Sequence, residues 1–421
     1  MAAISSEHFV ENLTEVEQER LARVQGVLPV LRDRAASADQ DGAFNRDNIR
    51  LFREAGITGL VVPREYGGLG GGLRDLVEAT FLLGTACPST ALCFFFHCST
   101  SSRGLLALEA LEQGLFTADE APLVRRFAEM VLGRMGHEGQ WFGNFASESV
   151  KSEKALITIA TKAKKVAGGF ELNGIKSFGC STGVADYYLV TAQLEGYEDG
   201  KGLSTFFVRP DAPGVGQRAE WDALGMRATA THGITLDKVF IADDECLTIP
   251  GAFARMMQVS RGSFVGNQIA GTAVYLGAAE AVYHNTLDTL LSRKFEDTGR
   301  SIADSPMHRE LIGRMALHLE TAKLWLRRQL ELETAIPPLV GKAEVVKNWR
   351  LCKGVVAEMA FSVAVDALKC CGTSGTANTG ATARGLRDLA MGLVQAFPAE
   401  RGRLEAAEMI IANRQSTLFG S

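Results

Sequence analysis

The sequence predicts an α+β fold in three consecutive parts: a helical domain over residues 1–139, a β domain over 140–248 and a helical bundle over 249–421. Three observations predict it. Near the start, apolar residues recur at three and four spacing, as in Leu21, Val24, Val27, Leu28 and Leu31, the period of a helix with one buried face. Short β-rich runs separated by turn residues fill the middle, and helical spacing returns after about residue 249. The length of 421 residues agrees with that division, since a domain averages about 150 residues.

The first part is broken at Ala55-Gly56 and by the segment Pro63-Arg64-Glu65-Tyr66-Gly67-Gly68-Leu69-Gly70-Gly71-Gly72. So many glycines beside a proline rule out a regular element, and a loop must lie there. It lacks the Gly-Lys-Ser/Thr ending of a P-loop and the pattern of a dinucleotide fingerprint, so it reads as a connecting turn. In the middle part the expected strands are Leu156-Ile157-Thr158-Ile159, Phe170-Glu171-Leu172, Tyr187-Tyr188-Leu189-Val190, Thr205-Phe206-Phe207-Val208 and Lys238-Val239-Phe240-Ile241. Gly168-Gly169, Asn173-Gly174 and Pro210-Asp211 supply turns between them, as a small sandwich or barrel requires. The last part shows its helical stripe at Val265, Ile269, Leu276, Ala279, Tyr283, Leu287 and Leu290, and again at Met315, Leu319 and Leu326.

Composition narrows the function. With 46% hydrophobic and 22% charged residues the chain can bury a large core and is neither disordered nor fibrous. Lys+Arg 44 against Asp+Glu 49 leaves a net charge of -5, without the positive excess that binds a nucleic-acid backbone. No apolar run approaches the roughly 18 residues that cross a bilayer. The opening MAAISSEHFVENLTEVEQER carries acidic groups early and lacks the basic start and apolar middle of an export signal. Eight cysteines without a CxxC pair give no zinc-site spacing and suit reduced thiols in a cytoplasmic protein. No nucleic acid, no membrane and a cytoplasmic location are therefore expected.

Several local strings carry a resemblance. They are Phe52-Arg53-Glu54-Ala55-Gly56-Ile57 with Val61-Val62-Pro63-Arg64-Glu65-Tyr66-Gly67-Gly68; Asn173-Gly174-Ile175-Lys176-Ser177-Phe178 with Ala185-Asp186; and Leu224-Gly225-Met226-Arg227 with Asp237-Lys238-Val239-Phe240. Gly372-Thr373-Ser374-Gly375, followed at Arg387-Asp388, completes the set. In this order the chain resembles the acyl-CoA dehydrogenase superfamily over nearly its whole length. The resemblance implies a C-terminal four-helix bundle and FAD held without a covalent bond, lying between the β domain, the C-terminal helices and a neighbouring subunit. A homo-oligomer, dimer or tetramer, follows from it.

The resemblance also places candidate residues. Phe145, Ala146 and Ser147 match the segment that touches the flavin ring, and Phe178 stands where an aromatic covers it. Cys180 falls where a Thr or Ser reaches the N5 edge; a thiol is a poorer donor, and neighbouring Ser181 can take over that role. Arg293, with Phe295, matches the helix end that meets the pyrophosphate and adenine side across the subunit boundary, although Glu296 stands where the family has glycine. Gly372 and Gly375 match the backbone that approaches the pyrophosphate, with Thr373 in place of the second family glycine. Read without the resemblance, Phe178 and Cys180 would be core residues and Gly372 a helix-ending turn.

Two positions limit the chemistry. The family removes an α-proton from an acyl thioester with a glutamate, and its two usual places fall on Ala396 and Ser260, neither of which accepts a proton near neutral pH. Arg261 keeps the family's arginine near the thioester. The segment that would face CoA is also changed, reading Ser147-Glu148-Ser149-Val150-Lys151-Ser152-Glu153-Lys154. Glu400 reads as a solvated surface charge. FAD retained without the base fits the superfamily's monooxygenases, which use reduced flavin and oxygen and are supplied by a separate flavin reductase. A dry pocket with hydrogen-bond donors then matters more than a base. His97, in Phe94-Phe95-Phe96-His97-Cys98-Ser99, and Ser181 are the catalytic candidates, with Ser99 and His232 behind them. The alternative expectation is an acyl-CoA or acyl-carrier-protein dehydrogenase, or a related elimination, with an atypical base and an electron-transfer partner; a third is a flavin- or partner-binding protein without turnover.

Overall fold

The computed structural model describes residues 8–148, 159–262 and 268–419. Its first helices are α1 (Glu15–Asp41), α2 (Asp47–Glu54), α3 (Leu73–Ala86), α4 (Pro88–Glu112) and α5 (Ala121–Gly136). At the start of α1 the Thr14 hydroxyl accepts from the Glu17 N–H at 3.2 Å while the Glu17 carboxylate takes the Thr14 N–H at 2.8 Å. This reciprocal pair satisfies amides that have no partner within the helix. The residues at three and four spacing, Leu21 to Leu31, are the ones α1 buries. α4 is buried on almost every side because it runs between α3, α5, the helices over Ala252–Val259 and Gln268–Ser292, and the first strand. The glycine-rich segment is a tight connection. The N–H groups of Leu69, Gly70 and Gly71 donate to Gly59, Val62 and Leu60 carbonyls, so these amides serve the chain itself.

One sheet of eight strands follows: β1 (Phe142–Phe145), β2 (Lys162–Val166), β3 (Gly169–Lys176), β4 (Tyr187–Leu194), β5 (Leu203–Val208), β6 (Val215–Gln217), β7 (Ile234–Ala242) and β8 (Cys246–Leu247). Its order is β6-β7-β3-β2-β4-β5-β8, with β1 parallel to β4. Two expectations change here. Asn173-Gly174 is not a turn between strands but a bulge within β3: the register against β7 shifts between Leu172 and Gly174, and the Asn173 amide oxygen takes the Lys238 N–H at 2.9 Å. The side chain replaces a ladder bond, as bulges allow. β2 is a lysine-rich strand that hydrophobicity did not single out. Most of the expected strand at 156–159, and the CoA-facing segment from Ser149 to Lys154, lie outside the described residues.

The C-terminal helices are α6 (Ala252–Val259), α7 (Gln268–Ser292), α8 (Pro306–Thr334), α9 (Lys342–Cys371), α10 (Ala381–Gly392) and α11 (Ala399–Phe419). The α+β order of helices, sheet and helical bundle is the one expected. α7 crosses α3 at close range, because a Cβ on Gly277 would lie 2.0 Å from the Phe81 carbonyl oxygen and one on Gly84 2.5 Å from that of Val274. Glycine is required at that crossing.

The three parts also meet at one polar junction. Arg387 of α10 holds Asp39 at the end of α1 with both arms, one at 2.9 Å, and the Arg227 Nε donates to the Asp39 carbonyl oxygen at 2.9 Å. Such forked Arg–carboxylate pairs fix orientation as well as distance. Among the described residues no helix is long and apolar enough to cross a membrane.

Candidate active site

The two segments expected to face the flavin ring are bound to each other. The Ser177 N–H donates to the Ser147 carbonyl oxygen at 2.9 Å, joining the end of β1 to the end of β3. Beside that bond, Lys176 and Glu148 form a buried ion pair at 2.5 Å, and Glu148 also accepts from the Thr161 hydroxyl at 2.6 Å and the Thr161 N–H at 3.1 Å. Burial raises the Glu148 pKa, but the Lys176 charge and these donors outweigh it, so the carboxyl lies below its ordinary value. A fully bonded buried pair of this kind fixes geometry.

Phe145 packs its ring beneath Gly179, where a Cβ would lie 2.2 Å from a ring carbon, and against Tyr188 at 4.5 Å between centroids. Its side chain belongs to the core, so only its backbone can face a ligand. Ser147 is exposed and Ala146 half-buried. Phe178 is 51% exposed with its ring edge-on to Trp221 at 5.9 Å. An exposed aromatic on a pinned segment suits a flat ring system placed over it.

Cys180 and Ser181 turn away from that face. The Cys180 thiol is buried and accepts from the Thr231 hydroxyl at 3.3 Å, and the Cys93 thiol lies beside it. The Ser181 hydroxyl takes the Trp141 indole N–H at 3.0 Å and is 1% exposed. His97 is likewise internal. Its Nε2 bonds the Thr58 carbonyl oxygen at 2.8 Å, its Nδ1 takes the Phe142 N–H at 3.1 Å, and its ring stacks on Trp141 at 4.3 Å. These bonds assign a neutral ring with its proton on Nε2. The expectation that His97 and Ser181 contact substrate is therefore corrected: their polar atoms are committed to the protein, and they support the start of β1 from behind. The Ser99 hydroxyl lies 3.5 Å from the Asn144 amide nitrogen, on the strand that leads into the segment expected to face the flavin. His232 bonds the Trp221 N–H at 2.9 Å in a turn.

The remaining candidates lie at the edges of the C-terminal helices. Arg293 is exposed where α7 ends in a small hairpin closed by Lys294 and Ser301. Gly372 ends α9 with φ 61 and ψ -153, backbone that only glycine adopts without strain. At Gly375 a Cβ would lie 2.7 Å from the Cys371 Cβ. Gly372 therefore keeps bare backbone open to a neighbour, whereas Gly375 is buried and its missing side chain makes room for Cys371. Ser260 caps the end of α6, and Arg261 is exposed with one nitrogen 3.3 Å from the Ala335 carbonyl oxygen.

Ala396 occupies the link between α10 and α11 with φ 64. It opens on a narrow cavity lined by Gln268, Thr272 and Tyr275 of α7, Lys353 of α9, and Gln395. No carboxylate is among the described residues that line it. Tyr275 is 3% exposed, and its hydroxyl is buried without a hydrogen-bond partner. Burial, with smaller effects from Cys180 and Asp388, pushes its pKa well up, so it remains a proton-bearing donor. Lys353 gives two hydrogen bonds, to the Gly392 carbonyl at 2.8 Å and the Phe397 carbonyl at 2.5 Å. Burial lowers its pKa to about 8. Sequence reasoning missed Tyr275, Lys353 and the Glu148–Lys176 pair. Each sits in an ordinary helical or strand pattern, and only the fold shows that its polar end is enclosed.

The separated motifs also come together. The Met226 N–H donates to the Asp388 carboxylate at 2.7 Å, and a Cβ on Gly225 would lie 2.0 Å from the Arg387 carbonyl oxygen. Burial, opposed by the Met226 bond, raises the Asp388 pKa to about 6.

The fold and these segments define a three-part flavoprotein oxidoreductase. Models of the acyl-CoA dehydrogenase N-terminal, middle and C-terminal domains match residues 25–113, 146–239 and 269–397. The chain belongs to the acyl-CoA dehydrogenase superfamily. It is 32% identical to an L-evernosamine nitrososynthase of a Micromonospora strain over 257 residues, 61% of this chain and 57% of that protein. It is 25% identical to cyclohex-1-ene-1-carbonyl-CoA dehydrogenase of Syntrophus aciditrophicus over 372 residues, 87% of this chain and 83% of that one. The structure of KijD3 in complex with FMN and a dTDP-linked amino-keto sugar superposes with a TM-score of 0.78 at 24% identity, covering 97% of this chain and 96% of that one.

Proposed function

We propose that this protein is a monooxygenase that uses reduced flavin and oxygen on a small organic substrate. The carrying observation is the cavity at Ala396, whose described lining includes Gln268, Thr272, Tyr275, Lys353 and Gln395 but no carboxylate. A base that strips an α-proton must lie within about 3.2 Å of it, and alanine cannot serve. Buried donors instead suit the stabilisation of developing negative charge in a water-poor site. A nitrososynthase makes a product with a nitrogen–oxygen bond, and the likeness to one supports an oxygenating reading.

In this reading FAD is the cofactor, and bound reduced flavin supplies the electrons that activate oxygen. The backbone of Phe145, Ala146 and Ser147 and the ring of Phe178 hold its flat portion, Cys180 backs that platform, and Arg293, Gly372 and Gly375 meet its phosphates beside a partner subunit. Arg261 orients the substrate. Tyr275 donates its hydroxyl toward the reacting group, while Lys353 keeps the link around Ala396 in place through its two carbonyl contacts. The active form is a homodimer or homotetramer in the cytoplasm, served by a separate flavin reductase.

The test is an anaerobic titration of the flavin-loaded protein with a panel of acyl-CoA esters. The flavin absorbance should stay oxidised throughout. Stoichiometric bleaching by any of the esters would overturn the proposal and assign an acyl-thioester dehydrogenase.

A further inference from the structure

Arg103, on α4, is a buried cation without a counter-ion among the described residues. It is 5% exposed, and its Nη1 lies in the interior with no hydrogen-bond partner. Three other well-covered arginines have a carboxylate partner: Arg20 holds Asp75 at 2.7 Å, Arg134 holds Glu245 at 2.5 Å and Arg387 holds Asp39, whereas the half-buried Arg32 also has a buried Nε without a partner. The contact made by Arg103 is the Phe253 ring of α6, 4.9 Å from its Cζ. Burial lowers its pKa to about 10 with no carboxylate to offset it. The guanidinium is still charged at neutral pH. A ring beneath the cation satisfies its face, not the N–H groups in its plane, and those N–H groups form the fork that matches an oxyanion.

The surroundings leave its Nη1 without a partner. Ser99, Ser101 and Ser102 donate their hydroxyls back to carbonyls of α4 at 2.8, 2.7 and 2.6 Å, and Thr100 does so at 3.3 Å. None of them is spent on Arg103. The position is also near the ligand-facing part of the sheet. Ser99 lies one turn before Arg103 on the same helix face, about 6 Å along the axis. Its hydroxyl is 3.5 Å from the Asn144 amide nitrogen, on the strand that ends at Phe145.

We propose that Arg103 anchors an oxyanion group, a carboxylate or a phosphate, of a ligand bound between α4 and α6. Phe253 supports the guanidinium from one side while the anion takes the in-plane N–H groups as a forked pair. The binding step requires no flavin chemistry, so it stands or falls apart from the oxygenase reading.

The experiment titrates the full-length protein with sodium benzoate and, separately, with inorganic pyrophosphate, following Tm and heat of binding, and repeats both with Arg103→Met and Arg103→Lys. One of the two anions should bind wild type saturably, and which one does distinguishes a carboxylate from a phosphate group. Arg103→Met should weaken that binding tenfold or more while melting no lower than wild type without ligand, because it removes a buried charge that has no partner. Arg103→Lys keeps the charge but loses the fork, and should weaken binding severalfold; it also decides the matter if the Met variant fails to fold. Absence of saturable binding by either anion, or unchanged affinity in a folded variant, would overturn the proposal.

Discussion

Replacing His97 with Gln isolates the energetic cost of keeping one imidazole neutral. Burial lowers the His97 pKa from 6.5 to about 4, although its bond to the Thr58 carbonyl works in the opposite direction. Protonation would also set a second N–H against that of Phe142, which now donates to Nδ1 at 3.1 Å. The native pKa lies below the unfolded one, so the unfolded chain takes up the proton first. Stability is then whole above about pH 6.5 and is lost as pH falls toward 4. At about 1.4 kcal/mol per unit, the loss between about pH 7 and pH 4.5 is roughly 2.5 kcal/mol. Gln does not titrate. The variant will be less stable than wild type at neutral pH, and the gap should close by that roughly 2.5 kcal/mol at the acid end. Urea unfolding of both proteins at the two pH values measures it, since every other titrating group is shared and cancels. Parallel pH dependences would refute the burial argument.

Glu148→Gln leaves Lys176 charged and buried, and should cost about 3–5 kcal/mol; because the pair ties together the two segments proposed to hold the flavin, the purified variant should also carry less flavin by absorbance. Asp388→Asn keeps an acceptor for the Met226 N–H but removes the carboxyl whose native pKa burial raises to about 6. With the native pKa above the unfolded value, wild type loses stability as pH rises through that window, so the variant should gain on it by roughly 3 kcal/mol between about pH 3.5 and pH 6.5, read from unfolding midpoints. Tyr275→Phe removes a hydroxyl with no protein partner, so the unfolding midpoint should stay level or rise by up to about 1 kcal/mol in stability. Its oxygen-dependent turnover should fall about tenfold or more, and an unchanged rate would remove Tyr275 from the site.

The large-scale order was legible because its signals are periodic and local: the α1 stripe from Leu21 to Leu31 is buried as its spacing predicts. Asn173-Gly174 misled because the same dipeptide that makes a turn also makes a bulge, and the choice between them depends on the Lys238 amide from a distant strand. At the site, Phe178 and Ser147 sit on fixed offsets within recognisable strings, and both are exposed at the ends of the strands that carry them. His97 could not be placed. A histidine in an aromatic helix reads alike whether it meets a ligand or the Thr58 carbonyl, and the partners that decide are 39 and 45 positions away. Tyr275, Lys353 and Arg103 share the same obscurity, since enclosure of a polar end is a property of packing and leaves no mark in spacing.

Under the proposed function the pocket at Ala396 serves oxygen transfer and not base-assisted dehydrogenation. Its most direct test is a single turnover with reduced FAD, isotopically labelled oxygen and a panel of amines, phenols and thioethers, analysed by mass spectrometry. One labelled oxygen atom should appear per molecule of product, with the second atom released as water. Complete conversion of an acyl thioester to its α,β-unsaturated product by the oxidised enzyme, with no label incorporated from any substrate, would contradict it.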